Sequence, residues 1–301
     1  MVVTPRHPRG PTASGEGHEG TGTSPAGPDG PAHRADVHSP YTEPVMVVDD
    51  VGVALELPRP PTRVVSLVPS LTESLALTVP ERLVGATDWC THPRSLDVPR
   101  VRGTKNPDHA AIAALRPDLV VANREENRRV DVERLRAAGV PVWVTVVESV
   151  DQALGSLRRL LVDGLGVDEP DWLARADEVW RAPVPLPPAT VVVPIWRDPW
   201  MIVGSPTFTG DVVTRLGLEL LTTDSADRYP RVGLDDLHRL SPELVVLPDE
   251  PYAFSSTDGP EAFAGTATAL VSGRDLTWYG PSMVAARPAL TARISAALPG
   301  G

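Results

Sequence analysis

The sequence predicts an α/β protein of two similar Rossmann-like lobes, each built on a central parallel sheet, joined by a connecting helix and enclosing a ligand cleft. Three observations lead there. Short apolar runs alternate with helical stretches, the alternation occurs twice, and a helical segment separates the two rounds. Alternation of this kind requires parallel sheets covered on both faces by helices. The predicted boundaries are 1–43 for a Pro/Gly-rich tail, 44–148 for the N-terminal lobe, 149–188 for the connecting helix and linker, and 189–301 for the C-terminal lobe.

Residues 1–40 hold seven Pro, seven Gly and four scattered His. Such a stretch buries too little apolar area to offset its ordering entropy and is expected to be disordered. Foldable sequence begins near Met46, itself a candidate start. Two apolar runs around Asp49-Asp50-Val51-Gly52 predict a β-hairpin. Arg63 to Val68 is a buried strand, and Ser70-Leu71-Thr72-Glu73 spells a capping box that opens a helix. Strands follow at 83–86, 119–122 and 142–145, with helices at 108–115 and 127–138, the latter stopped by Gly139. Residues 150–181 are helical by period, with Leu154, Leu157, Leu160 and Leu161 on one face and breaks at Gly164, Gly166 and Pro170. Pro183 to Pro188 form a stiff connector.

The second lobe echoes the first. Ile112 to Val121 aligns with Leu237 to Val246 at an offset of 125 positions, each a helix end, a Pro-acid turn and a strand. Arg63–Pro69 has a counterpart in Thr190–Pro194 at a similar offset, which points to duplication. In open α/β sheets ligands bind at the carboxyl ends of the strands, so the cleft residues are sought there.

Composition narrows the function. A net charge of −11 argues against binding nucleic acid through its phosphates. One cysteine, Cys90, rules out an intrachain disulfide and a multi-cysteine zinc site. No run is long and apolar enough for a membrane span. The missing leader pattern predicts a cytoplasmic protein, or an extracytoplasmic one if translation starts elsewhere. No G-x-S-x-G, P-loop, H-E-x-x-H or G-x-G-x-x-G occurs, so a binding protein is expected rather than an enzyme.

The strand ends of the first lobe carry Pro69, Ser70, Trp89, Cys90, His92, Lys105, Asn106, Glu125 and Glu126. Those of the second carry Trp196, Trp200, Phe208, Tyr252, Phe254, Trp278 and Tyr279. Of 14 aromatic residues, eight fall at these positions, as a large flat ligand would want. Cys90-x-His92 reads either as ligands, with His92 an axial partner to a metal carried by the ligand, or as a buried thiol beside a loop histidine. Glu125-Glu126 reads as an acid/base pair, a contact to polar ligand edges, or a solvated loop. The Ser70 and Thr207 turns present helix N-termini, which hold anionic or amide oxygens or are simply capped.

At RVVSLVPSLTESL, GTKNPDHAAIAALRPDLVVANREENRR and LTWYGPS the sequence resembles the helical-backbone (class III) substrate-binding proteins, among them periplasmic vitamin B12-binding and iron–siderophore-binding proteins of ABC transporters. The resemblance covers roughly residues 46–298. It implies two α/β lobes, a rigid connecting helix, a cobalamin, other corrinoid or related metal chelate as ligand, no resident cofactor, and delivery to a transporter permease. Its first-lobe motifs are nearest those of the B12 binders, which implies that Pro69, Trp196 and Trp278 line the cleft. Lys105 stands where those proteins carry an aromatic. The resemblance also implies docking through a carboxylate on each lobe. The second-lobe position falls near Asp235, whereas the first-lobe position falls near Ala110, which cannot form a salt bridge. An iron–siderophore or haem binder, and an enzyme using Glu125, Glu126 or His92, are the alternatives.

Overall fold

The computed structural model describes residues 44–298 except 59, 184 and 224–226. The tail predicted at 1–43 lies outside the described residues. Strands β1 (Val45–Val48) and β2 (Ala54–Leu57) form the antiparallel hairpin expected around Asp49–Gly52, with Gly52 at φ +82° in the turn. Then come β3 (Val64–Ser66), α1 (Pro69–Thr78) and β4 (Leu83–Ala86). A short ribbon of β5 (Arg102–Gly103) and β6 (Asn106–Pro107) leads into α2 (His109–Ala114), β7 (Leu119–Asn123), α3 (Arg129–Ala137) and β8 (Val142–Thr145). The parallel sheet runs β4-β3-β7-β8. The hairpin turn covers the outer edge of β8. Asp50 N–H donates to the Val144 carbonyl at 3.1 Å, and the Asp49 and Asp50 carboxylates accept from Val144 and Val146 N–H at 3.2 and 2.9 Å.

One expectation fails at the start of α1. Ser70 is not the cap of a capping box: the helix begins at Pro69, Val68 caps it without a side-chain bond, and Ser70 and Glu73 are buried. Proline has no N–H to satisfy and a preset φ, so it opens the helix two positions early.

The connection comprises α4 (Val150–Arg158), a π-helical segment Arg159–Gly164, and α5 (Asp171–Arg181), which restarts after Pro170. The four predicted leucines are buried. The π-segment ends where Gly164 passes the fully buried Trp143; a Cβ on Gly164 would stand 2.9 Å from the indole Cζ3.

The second lobe contains β9 (Thr190–Val192), the hairpin β10 (Pro194–Trp196) and β11 (Met201–Ile202), α6 (Phe208–Arg215), β12 (Glu219–Leu220) and α7 (Leu234–Arg239). It closes with β13 (Leu244–Pro248), β14 (Ala267–Val271), α8 (Gly273–Thr277) and α9 (Met283–Ser295). Its parallel sheet runs β12-β9-β13-β14, the same order as in the first lobe.

The repeat extends to side chains. Asp118 accepts from Thr62 and Arg63 N–H at 2.8 and 2.9 Å and ties the start of β3 to the start of β7. At the offset of 125, Glu243 accepts from Thr190 N–H at 2.7 Å and ties β9 to β13. The turn residues before them, Arg116 and Ser241, share a left-handed φ of 48° and 50°. Among the described residues no helix is long and apolar enough to cross a membrane.

Candidate ligand-binding cleft

In both parallel sheets the direction of strand addition switches between the first and third strands in sequence order, β3 and β7 in one lobe and β9 and β13 in the other. Such switch points open crevices at the strand carboxyl ends. The β7 end is shaped by two buried asparagines. Asn123 Oδ1 accepts from the N–H groups of Glu125 and Glu126 at 2.8 and 3.2 Å, an Asx turn that sets both glutamates. Asn127 Nδ2 donates to the Leu67 and Thr104 carbonyls at 3.3 and 2.9 Å, binding the β3 end and the β5–β6 ribbon to that turn. Lys105 Nζ donates to the Glu125 carbonyl.

The lobes meet through this face. Gly280, at φ +147°, lies on α1: a Cβ there would be 2.6 Å from Ser74 Oγ and 3.3 Å from the Ser70 carbonyl. Arg274 of the second lobe pairs with the buried Glu73 of the first and lies over Trp278, 5.6 Å from the ring centroid. His92 meets Trp278 edge-on at 5.4 Å. Arg228 crosses to Glu125 at 2.8 Å and Glu148 at 2.6 Å. Several polar atoms here are buried without a hydrogen-bond partner among the described residues: Glu73 Oε2, Glu125 Oε1, Glu250 Oε1 and the Nε atoms of Arg228 and Arg274.

Four groups at this junction are biased toward their neutral forms, Glu126, Glu250, Tyr229 and His92. Burial pushes the Glu126 carboxyl above the usual carboxylate range, with Lys105 drawing it back and Glu125 adding to the rise. Burial also raises Glu250, against the pull of the Trp278 indole. Burial and the nearby Glu125 charge raise the Tyr229 hydroxyl. Burial lowers His92, and Arg274 lowers it further, so its imidazole is biased toward the neutral form. For Glu126 the charged form is the disfavoured one in the fold. That penalty is full above the raised value and fades as pH falls toward the ordinary 4.5. Glu126→Gln is therefore expected to raise Tm at about pH 8 and leave it little changed at about pH 4. Thermal melts at the two pH values check this; an equal shift at both would assign the effect to packing.

Several predicted cleft residues are placed elsewhere. Cys90 is fully buried, its sulfur held by the Thr72 and Thr87 hydroxyls at 2.9 and 3.1 Å, and burial keeps it a neutral thiol. It is a core group, not a ligand. Trp200 is buried against Phe254 and Phe263 inside the second lobe, with centroids at 6.0 and 5.3 Å. Phe208 is buried against Tyr279 at 5.7 Å, whereas Tyr279 itself stays at the junction, its buried hydroxyl facing Ser70, Thr145 and Glu126 of the first lobe. A strand-end aromatic turns inward when its own lobe has a gap to fill, and period alone does not tell which way it turns. Pro69 is half-buried at the first turn of α1, and Lys105 and Asn106 are exposed on the ribbon. Trp89 and Trp196 stay open, 66% and 43% exposed, with Trp196 against Tyr252 at 5.7 Å. Sequence reasoning missed Glu73, Arg228, Tyr229, Glu250 and Arg274. Glu73 reads only as the acid of a capping box, the other four belong to no motif, and what singles each out is its partner on the other lobe or its burial.

No family model matches the chain. Sequence relatives include the vitamin B12-binding protein of Pectobacterium atrosepticum, 25% identical over 200 residues that cover 62% of this chain and 71% of the relative. That of Yersinia pestis (strain Pestoides F) is 25% identical over 195 residues, covering 62% and 69%. Solved structures with the same fold include periplasmic vitamin B12 binding protein BtuF of Vibrio cholerae, with TM-score 0.64, 17% identity and 79% and 98% of the two chains covered. Periplasmic heme-binding protein RhuT from Roseiflexus sp. RS-1 gives TM-score 0.67, 21% identity and 79% and 99% coverage. The chain thus shares the two-lobed fold of periplasmic binding proteins, as the resemblance implied. The likeness runs to binding proteins rather than enzymes, and its sequence side runs to the vitamin B12 binders.

Proposed function

We propose that this chain binds a metal chelate of the corrinoid kind, one whose rim carries amide N–H groups, in the cleft between the lobes. The observation that carries this reading is the sign of the cleft. Glu125 and Glu126 from the first lobe and Glu250 from the second stand at the junction with oxygens to offer, whereas Lys105, Arg228 and Arg274 are each held by acceptors of the protein itself. Amide donors suit such acceptors. Haem, which the solved neighbours raise as the alternative, brings two carboxylates to a site whose cations are already engaged. The B12-binding names of the sequence relatives support the same reading.

In this reading Trp89, Trp196, Trp278 and Pro69 wall the ligand. His92, beside Trp278, is placed to meet a metal that the ligand carries. No reaction is assigned to the cleft. The role is delivery to an ABC-transporter permease, with exposed Asp235 in the first turn of α7 as the second-lobe docking charge and exposed Ala110 on α2 facing the permease without one. The periplasmic solved neighbours support a location for that role outside the cytoplasmic membrane, in place of the cytoplasmic expectation, which rested on residues outside those described. Fractionation of cells carrying a tagged chain tests the location.

Calorimetric titration with cobalamin, cobinamide, haem and a ferric siderophore tests the ligand. Micromolar or tighter binding of a corrinoid, with haem weaker, is expected. Haem binding more tightly than either corrinoid would overturn the assignment.

A further inference from the structure

We propose that Arg228 is an internal occupant of the cleft, standing where the ligand's own donors are to go, and that it thereby selects ligands bringing N–H donors or positive charge to Glu125 and Glu148. The inference rests on reading the cleft as the ligand site and adds what a ligand must displace to enter it.

The backbone at Arg228 is fixed to the second lobe. Its carbonyl accepts from Gly204 N–H at 2.8 Å, and the Pro230 carbonyl accepts from Ile202 N–H at 3.1 Å. Gly204 lies so close that a Cβ on it would be 2.7 Å from the Asp227 carbonyl and 3.0 Å from that of Arg228. The backbone is held, and the side chain is what can move. That side chain spans to the first lobe, where Nη1 reaches Glu148 Oε1 at 2.6 Å and Nη2 reaches Glu125 Oε2 at 2.8 Å. One planar guanidinium thus joins the ends of β7 and β8.

The space beside it is small. The cavity lined by Asn123, Arg124, Glu125, Val146, Val147 and Arg228 holds about 150 Å³. Even drug-sized ligands occupy pockets of roughly 300–1,000 Å³. A chelate of tetrapyrrole size enters this corner when the Arg228 side chain leaves it.

Charge then decides which ligand succeeds. When Arg228 leaves, Arg124 still holds Glu148 at 2.5 Å, while Glu125 loses its cation and keeps a buried oxygen without a donor. An amide or cationic edge replaces what was removed. An anionic edge meets bare carboxylate, so the same residue admits one class and resists the other. The ion pair is only partly buried, with side-chain exposures of 28% for Arg228 and 33% for Glu125, so salt weakens it.

Stopped-flow binding of diaquacobinamide to the full chain and to Arg228→Ala tests this, with Arg228→Met as a second variant that keeps the apolar stem. Both variants are expected to bind about tenfold faster and correspondingly tighter, because the competent state no longer has to be exposed first. Raising salt from roughly 50 to 500 mM is expected to speed the wild type and leave the variants unaffected. Weaker binding by both variants would make Arg228 a ligand contact and overturn the proposal, as would unchanged on-rates. If no chelate binds either form, the corrinoid reading fails and hydrogen exchange of the ligand-free proteins decides the occupant. Amides of 123–127 and 145–148 should exchange several-fold faster in Arg228→Ala, and millimolar methylguanidinium should restore the slow rate. Equal exchange in the two proteins would overturn it.

Discussion

Gly280→Val is expected to lower Tm by roughly 6–12 °C and to abolish high-affinity ligand binding, because it acts on the surface where the lobes touch. Two effects add. A valine at φ +147° is strained, and its Cβ would enter the space of Ser74 Oγ and the Ser70 carbonyl. Strain and overpacking of this kind together cost on the order of 3 kcal/mol. The neighbouring chain has little freedom to yield. Tyr279 is buried against Phe208, and the Met283 carbonyl accepts from Trp180 Nε1 at 2.9 Å. The lobes must move apart, which misplaces Trp278 and Arg274 relative to His92 and Glu73. Scanning calorimetry and cobinamide titration check both halves of the expectation. Pairing Gly280→Ala with Ser74→Gly should recover part of the loss, since removing the hydroxyl reopens the notch. No recovery would place the cost in the backbone alone.

Trp143→Ala is expected to have the largest effect on stability, about 3–5 kcal/mol. Trp143 is fully buried on β8, beneath the point where the π-helical segment ends at Gly164. Removing the indole leaves a void between the first-lobe sheet and the connection, which the close-packed neighbours fill only partly. Denaturant unfolding measures the loss. Trp143→Phe should cost less and should make Gly164→Ala tolerable, whereas Gly164→Ala alone meets the indole at 2.9 Å. A loss below about 1 kcal/mol for Trp143→Ala would mean that the segment collapses onto the sheet.

Much of the fold was legible because its signals are local. The Pro-acid turns at Pro117-Asp118 and Pro242-Glu243, and the apolar runs after them, carry their structure in adjacent residues, and both became the same clasp between strands. The connection was legible for the same reason, with breaks at Gly164 and Pro170 where the π-segment ends and α5 begins. The cleft was less legible. Trp200 and Phe208 read as ligand walls because they sit near strand ends, yet they fill gaps within their own lobe. Arg228 and Arg274 went unread because their meaning lies in carboxylates 80 or more positions away.

The paired acid clasps have a kinetic consequence. Asp118 closes on Thr62 across 56 positions, and Glu243 closes on Thr190 across 53. Loop-closure entropy depends only logarithmically on such lengths, so the two nuclei start from nearly equal entropic barriers. Topology therefore gives neither half a head start. Which half forms first is left to side chains, and the first half has the hairpin that covers its sheet edge and the indole at its base.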